Sequence, residues 1–181
     1  LFMVIGKTLI KDHTKPGTGL GEVFAEVNDL LCESNSEGLF ITAFEGVLDL
    51  VTGEFSFVNA GHEIPFISRG GMAYEPHKIR PGFVLAGMEG MKYEVGHFSL
   101  EPGDKIFQYT DGVTEAQNKG EMLYGMERLT RVLSACGDKP PAKLLAAVKE
   151  DIDGFVGEAP QFDDITMLCL EYRERMAPAK E

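Results

Sequence analysis

Residues 107–118 read FQYTDGVTEAQN. An apolar, aromatic run ends abruptly in Asp111-Gly112. Asp is a poor strand residue and Gly breaks strands, so a strand is predicted over Lys105–Thr110 that stops at a carboxylate. Residues 161–172, QFDDITMLCLEY, mirror it: Asp163 and Asp164 stand immediately before an apolar run, Ile165–Tyr172, predicted as a strand and apolar enough to be central. If the two strands are antiparallel neighbours, the end of one and the start of the other share a rim, with the strands about 4.8 Å apart. Carboxylates that converge repel; they share a proton, meet Lys or Arg, or bind a hard cation. Oxygen-only ligation suits Mg²⁺ or Mn²⁺. Taken singly, Asp-Gly after a strand is an ordinary turn, and periodicity does not establish that the strands are neighbours.

Outward from these stretches, Leu1, Ile5 and Leu9 share one face of a predicted buried helix. After KPGTG, residues Val23, Phe24, Val27, Leu30 and Leu31 form a second helical stripe, with Glu22, Glu26 and Asn28 off it. Leu39–Leu50 and FSFVNA (55–60) are predicted strands about a VTGE hairpin turn. With the strand inside GHEIPFISRGGM, residues 39–75 read as an antiparallel meander. FVLAGM and YEVGHFSL are further short strands. Met126, Leu129, Val132 and Leu133 mark a helix; DKPPAKLLAAVKEDIDGF is another, with proline in its first turn and Leu144, Leu145, Val148, Ile152 and Phe155 on one side. Residues 173–181 are a polar tail. Helices, a run of strands, helices and a last strand make an α+β class with antiparallel sheets, not alternating βαβ units.

The chain has 181 residues, which suits one domain, and 44% of them are hydrophobic, enough for a real core. No apolar stretch approaches the roughly 18 residues of a membrane span. A net charge of -12 argues against a nucleic-acid-binding surface. Cys32, Cys136 and Cys169 are far apart and odd in number, and read as reduced core residues of a cytosolic protein. No Cys-based nucleophile motif occurs. The four histidines show no metal-binding spacing.

FVNAGHEIPFI, LEPGDKIFQYTDGVTEAQN and QFDDITMLCLEY, in that order and spacing, resemble the SpoIIE/RsbU-type branch of the type-2C (PPM) metal-dependent serine/threonine protein phosphatases. LFMVIGKTLIK and GLFITAFEGVLDLVTGEFSFVNAGH fit the same family, and the resemblance covers residues 1–172 as one phosphatase domain. It implies a four-layer α-β-β-α sandwich with two antiparallel sheets, and two Mn²⁺ or Mg²⁺ ions at one end in the complete domain. It implies that a hydroxide bridging the metals attacks a phosphoserine or phosphothreonine in line. The implied partner is a phosphorylated regulatory protein of the anti-sigma-factor antagonist type, in bacterial stress or signalling control. The domain is often the cytosolic output of a larger sensor.

Residue by residue, the resemblance matches Asp111 and Asp163 to metal-coordinating aspartates, with Asp164 beside them to assist or orient. Gly112 lets the backbone turn beneath the ligand. Thr110, Thr114, Glu115 and Thr166 are supporting groups, or else ordinary turn and strand hydrogen-bonders. His62, in Asn59–His62, is open to two readings: proton donor to the leaving group, or holder of a hairpin corner. The family also carries an Asp-bearing early strand and a second Asp before the first long helix, and neither motif occurs in this sequence. The expectation is therefore a truncated domain lacking its first strands, with part of the metal set upstream of Leu1 and little or no turnover by itself. Its unpaired sheet edges would favour a homodimer or strand exchange. The alternative is a non-catalytic interaction module with the same fold.

Overall fold

The computed structural model describes residues 1–177; of the polar tail, residues 178–181 lie outside the described residues. Among the described residues the fold is α+β with two antiparallel sheets and four α-helices, and the chain divides into two compact units.

The first unit comprises residues 1–62 and 79–99. Helices α1 (Phe2–His13) and α2 (Leu20–Glu33) accompany a three-stranded sheet of β1 (Ala43–Leu48), β2 (Glu54–Ala60) and β5 (Gly96–Ser99), in the order β1-β2-β5. The β1–β2 turn forms because the Asp49 carboxylate accepts the N–H groups of Val51 and Thr52. Val23, Phe24, Val27 and Leu31 of α2 are buried as their spacing predicts. Asn28, expected off the stripe, is instead fully buried. Its Oδ1 accepts the N–H of Ala86 (2.9 Å) and lies 3.1 Å from the Tyr93 hydroxyl, and its Nδ2 donates to the Met88 carbonyl (2.8 Å).

Helix α1 keeps only Leu9 of the expected face against the core. Leu1 is 97% and Ile5 43% exposed, whereas Gly6 is buried and Phe2, Leu9 and Ile10 pack against the core. The cause is a close approach: a Cβ on Gly6 would lie 2.5 Å from Ile41 Cδ1, so the helix rests on its smallest residue.

The second unit comprises residues 63–78 and 100–181, described to 177. Strands β3 (Phe66–Ser68), β4 (Glu75–Pro76), β6 (Lys105–Tyr109) and β7 (Met167–Glu171) lie in the order β4-β3-β6-β7. Helices α3 (Gly125–Ser134) and α4 (Pro141–Val156) supply Leu129, Leu133, Leu144, Val148 and Ile152, which bury Phe66, Phe107 and Tyr109 of the sheet. Asp151 accepts both Arg128 Nε (2.7 Å) and the Tyr124 hydroxyl (2.7 Å), joining α3 to α4. The buried Lys105 ammonium donates to the carbonyls of Gly137 and Lys139, tying β6 to the segment between these helices.

Three strand expectations are corrected. The meander over 39–75 breaks after β2, because β3 leaves for the second sheet and β5 becomes the other neighbour of β2. FVLAGM forms only an isolated bridge, Leu85 to Ile41; Ala86, at φ 64°, takes the chain out of the extended region. The last strand, β7, is an edge strand among the described residues, with Leu168 59% exposed. Its apolarity serves one face: Met167 and Cys169 pack against the helix-covered core.

Asp104, in the turn before β6, is buried. Burial alone would raise its pKa, but the N–H of Glu101, the Arg69 guanidinium at 2.7 Å and the N–H of Gly70 outweigh that and hold it below the usual carboxylate value. A depressed folded-state pKa contributes stability that is fully present above the unfolded-state value of about 3.9 and is lost as pH falls through the folded value. Asp104→Asn is expected to flatten the fall in urea-unfolding stability below about pH 4. Superimposable pH profiles for the two proteins would remove Asp104 from this role.

Candidate metal centre

Strand β6 ends at Tyr109, paired with Met167 at the start of β7 in an antiparallel register. The segments carrying Asp111 and Asp163–Asp164 therefore lie on one rim. One step beyond the ladder, the Thr110 N–H donates to the Thr166 carbonyl at 3.0 Å. The chain then turns into a 3₁₀ turn, Asp111–Val113, anchored by the fully buried Val113. The Thr110 hydroxyl donates to the Asp164 carbonyl (3.1 Å) and accepts the Thr166 N–H (3.0 Å). Gly112 is pressed against the facing loop: a Cβ there would sit 2.3 Å from the Asp164 carbonyl oxygen and 3.6 Å from the Asp163 carbonyl carbon.

The aspartate side chains are held locally. Asp111 Oδ1 accepts the N–H of Gly112 (2.9 Å), and Asp163 Oδ1 accepts the N–H of Asp164 (2.7 Å). Asp111, Asp163 and Asp164 are exposed, and no Lys or Arg pairs with them among the described residues. Thr114 donates its hydroxyl proton to the Asp111 carbonyl, and the Glu115 N–H donates to the same oxygen. Carboxylates gathered on one rim without a neutralising cation fit a hard divalent ion in donor chemistry. No group of three or more His, Cys, Asp or Glu able to hold a metal occurs among the described residues.

His62 belongs to the first unit. Its N–H donates to Asn59 Oδ1 (2.7 Å), its carbonyl accepts Asn59 Nδ2 (2.9 Å), and its Nδ1 lies 3.2 Å from Thr42 Oγ1. Gly61, at φ 71°, completes the corner. These contacts support the corner-holding reading.

A cleft of about 310 Å³ opens beside Gly112 and Asp163, walled by Ala116, Ile152, Val156 and Ile165. Lys149 and Asp153, an i,i+4 ion pair on α4, also line it. Nothing in the sequence marks these α4 residues as more than a solvated helix pair. The bridging bonds of Thr110 were equally hidden: the signal, a Thr before Asp-Gly at a strand end, has meaning only once the neighbouring strand is known.

The family model of Stage II sporulation protein E (SpoIIE) matches residues 1–173. Protein IcfG of Synechocystis is 30% identical over 91% of this chain and 28% of its own length. Phosphoserine phosphatase RsbU of Bacillus subtilis is 28% identical over 60% of this chain and 33% of its own length. The chain thus spans about a third or less of these curated relatives. The phosphatase domain of SpoIIE from Bacillus subtilis, solved from a manganese-soaked crystal, matches 97% of this chain and 76% of that one, with a TM-score of 0.64 at 16% identity. On the match over residues 1–173, this chain belongs to the SpoIIE family.

Proposed function

We propose that this chain is the catalytic part of a metal-dependent protein serine/threonine phosphatase. The observation that carries the reading is the β6–β7 pairing, which puts Asp111 on the same rim as Asp163 and Asp164 in a chain matched by the SpoIIE family over 1–173. Asp111 and Asp163 would hold Mg²⁺ or Mn²⁺, with Asp164 assisting. When bound, the ion supplies Lewis acidity, neutralising phosphoryl charge and acidifying water for attack. The chain's own contribution is positional. Asp111 and Asp163 each fix one carboxylate oxygen on the following amide, and the turn at Gly112 keeps the two loops in van der Waals contact. The exposed rim is accessible to a phosphoserine carried on a protein surface. The substrate we assign is a phosphorylated regulatory protein of the anti-sigma-factor antagonist type, a reading supported by the likeness to RsbU. We place the domain in the cytoplasm as a signalling output; no helix among the described residues is long and apolar enough to cross a membrane.

The test is a Mn²⁺-dependent phosphatase assay on the intact protein with such a phosphoprotein. Asp111→Asn is expected to lower kcat/KM by about 100-fold, the scale of losing about 3 kcal/mol of charge stabilisation, without altering the circular dichroism spectrum. Unchanged activity would take Asp111 out of the site and favour a non-catalytic docking role. Residues 1–181 alone are expected to turn over little, because the described residues contain fewer than three converging ligands.

A further inference from the structure

The structure assigns Thr110 as a positioning residue: its hydroxyl locks the Asp111 turn to the Asp163–Asp164 loop and so sets the spacing at which a divalent ion is held. This rests on the metal-holding role proposed above.

In an antiparallel ladder a hydrogen-bonded pair exchanges two backbone bonds. Thr110 and Thr166 make only one of them, Thr110 N–H to the Thr166 carbonyl. The second is absent: the Thr110 carbonyl turns with the chain into the 3₁₀ segment, where it accepts the N–H of Val113 (3.0 Å). The Thr110 hydroxyl replaces it. Oγ1 accepts the orphaned Thr166 N–H and at the same time donates to the Asp164 carbonyl. One side chain therefore satisfies the ladder at the point where β6 leaves it and grips the residue next to Asp163. A hydroxyl can accept and donate together; a methyl group of the same size can do neither. If the hydroxyl merely closed the ladder, its loss would alter melting and leave ion binding untouched. If it sets the loop spacing, ion binding changes far more than melting does.

The experiment titrates ¹⁵N-labelled residues 1–181 with MnCl₂ and follows paramagnetic broadening of amides 110–113 and 163–166, alongside thermal melting. Thr110→Val is expected to need about tenfold more Mn²⁺ for the same broadening, the low end for losing a group that orients a metal ligand. It should melt within about 4 °C of the parent. Thr110→Ser, which keeps both hydrogen bonds, should broaden at the parent concentration within about twofold. Asp111→Asn should lose the selective broadening. A Thr110→Val protein that broadens like the parent overturns the positioning role and leaves the metal reading standing. A Thr110→Ser protein as weak as Thr110→Val shows that the hydroxyl is not the operative group. No selective broadening in the parent, or parent-like broadening in Asp111→Asn, overturns the metal reading and the positioning role together.

Discussion

Gly112→Ala is expected to cut kcat/KM of the intact phosphatase by more than about 100-fold and to destabilise the fold by about 1–3 kcal/mol. The added Cβ would lie 2.3 Å from the Asp164 carbonyl oxygen and 3.0 Å from its carbon. Both are backbone atoms, so neither can swing aside as the end of a flexible side chain would. To restore ordinary contact, the Asp111 turn and the Asp163–Asp164 loop must part by about 1 Å, and a displacement of that size at a reacting centre costs on the order of 10² in rate. The same opening stretches the Thr110–Asp164 and Thr110–Thr166 bonds. Phosphatase kinetics and urea unfolding would be measured on the same preparation. An alanine protein with parental kcat/KM would mean that the two loops need not approach closely, and the shared-site reading would fail with it.

Asn28→Ala is expected to cost about 3 kcal/mol, which in a chain of this size lowers Tm by roughly 10 °C. Asn28 is fully buried and uses both ends of its amide. Removing it leaves the Ala86 N–H and the Met88 carbonyl without their side-chain partner, and takes one of two acceptors from the Tyr93 hydroxyl, which also lies 3.2 Å from the Val84 carbonyl. Orphaned buried groups each cost about 1–3 kcal/mol. The segment from Val84 to Tyr93, which has no sheet ladder of its own beyond the Leu85–Ile41 bridge, would lose three of its hydrogen bonds to α2. Differential scanning calorimetry reads this directly. A Tm within about 2 °C of the parent would show that water takes over these bonds at little cost.

Much of the fold was legible in the sequence. Of the predicted stripes, Val23, Phe24, Val27 and Leu31 of α2 and Leu144, Val148 and Ile152 of α4 are buried as the 3.6-residue period requires, while Leu30, Leu145 and Phe155 are half-buried. The Asp49–Glu54 turn and the arrest of β6 at Asp111 follow from local turn chemistry. The placement of Asp111 and Asp163 on one rim was legible only conditionally, as a consequence of strand neighbourhood that the spacing could suggest but not establish.

The misreadings share one cause. Period and composition report what a side chain's own face requires; they do not report which atoms arrive there from far along the chain. Asn28 reads as a surface residue because polarity normally means exposure, yet three of its partners sit 58 to 65 residues away. The apolar β7 reads as central because its packing against α4 is indistinguishable, in sequence, from burial on two faces. Leu1 and Ile5 read as core, but the close approach of Gly6 to Ile41 sets which face of α1 is covered. By itself, then, the sequence determined most of the elements, their class and the presence of carboxylates at two strand ends, because these depend on local propensity and short-range pattern. Only the tertiary structure decided which strands pair, which face of α1 is buried, and that a single hydroxyl at Thr110 joins the two acidic loops, because each depends on hydrogen bonds and close contacts between residues distant in the chain.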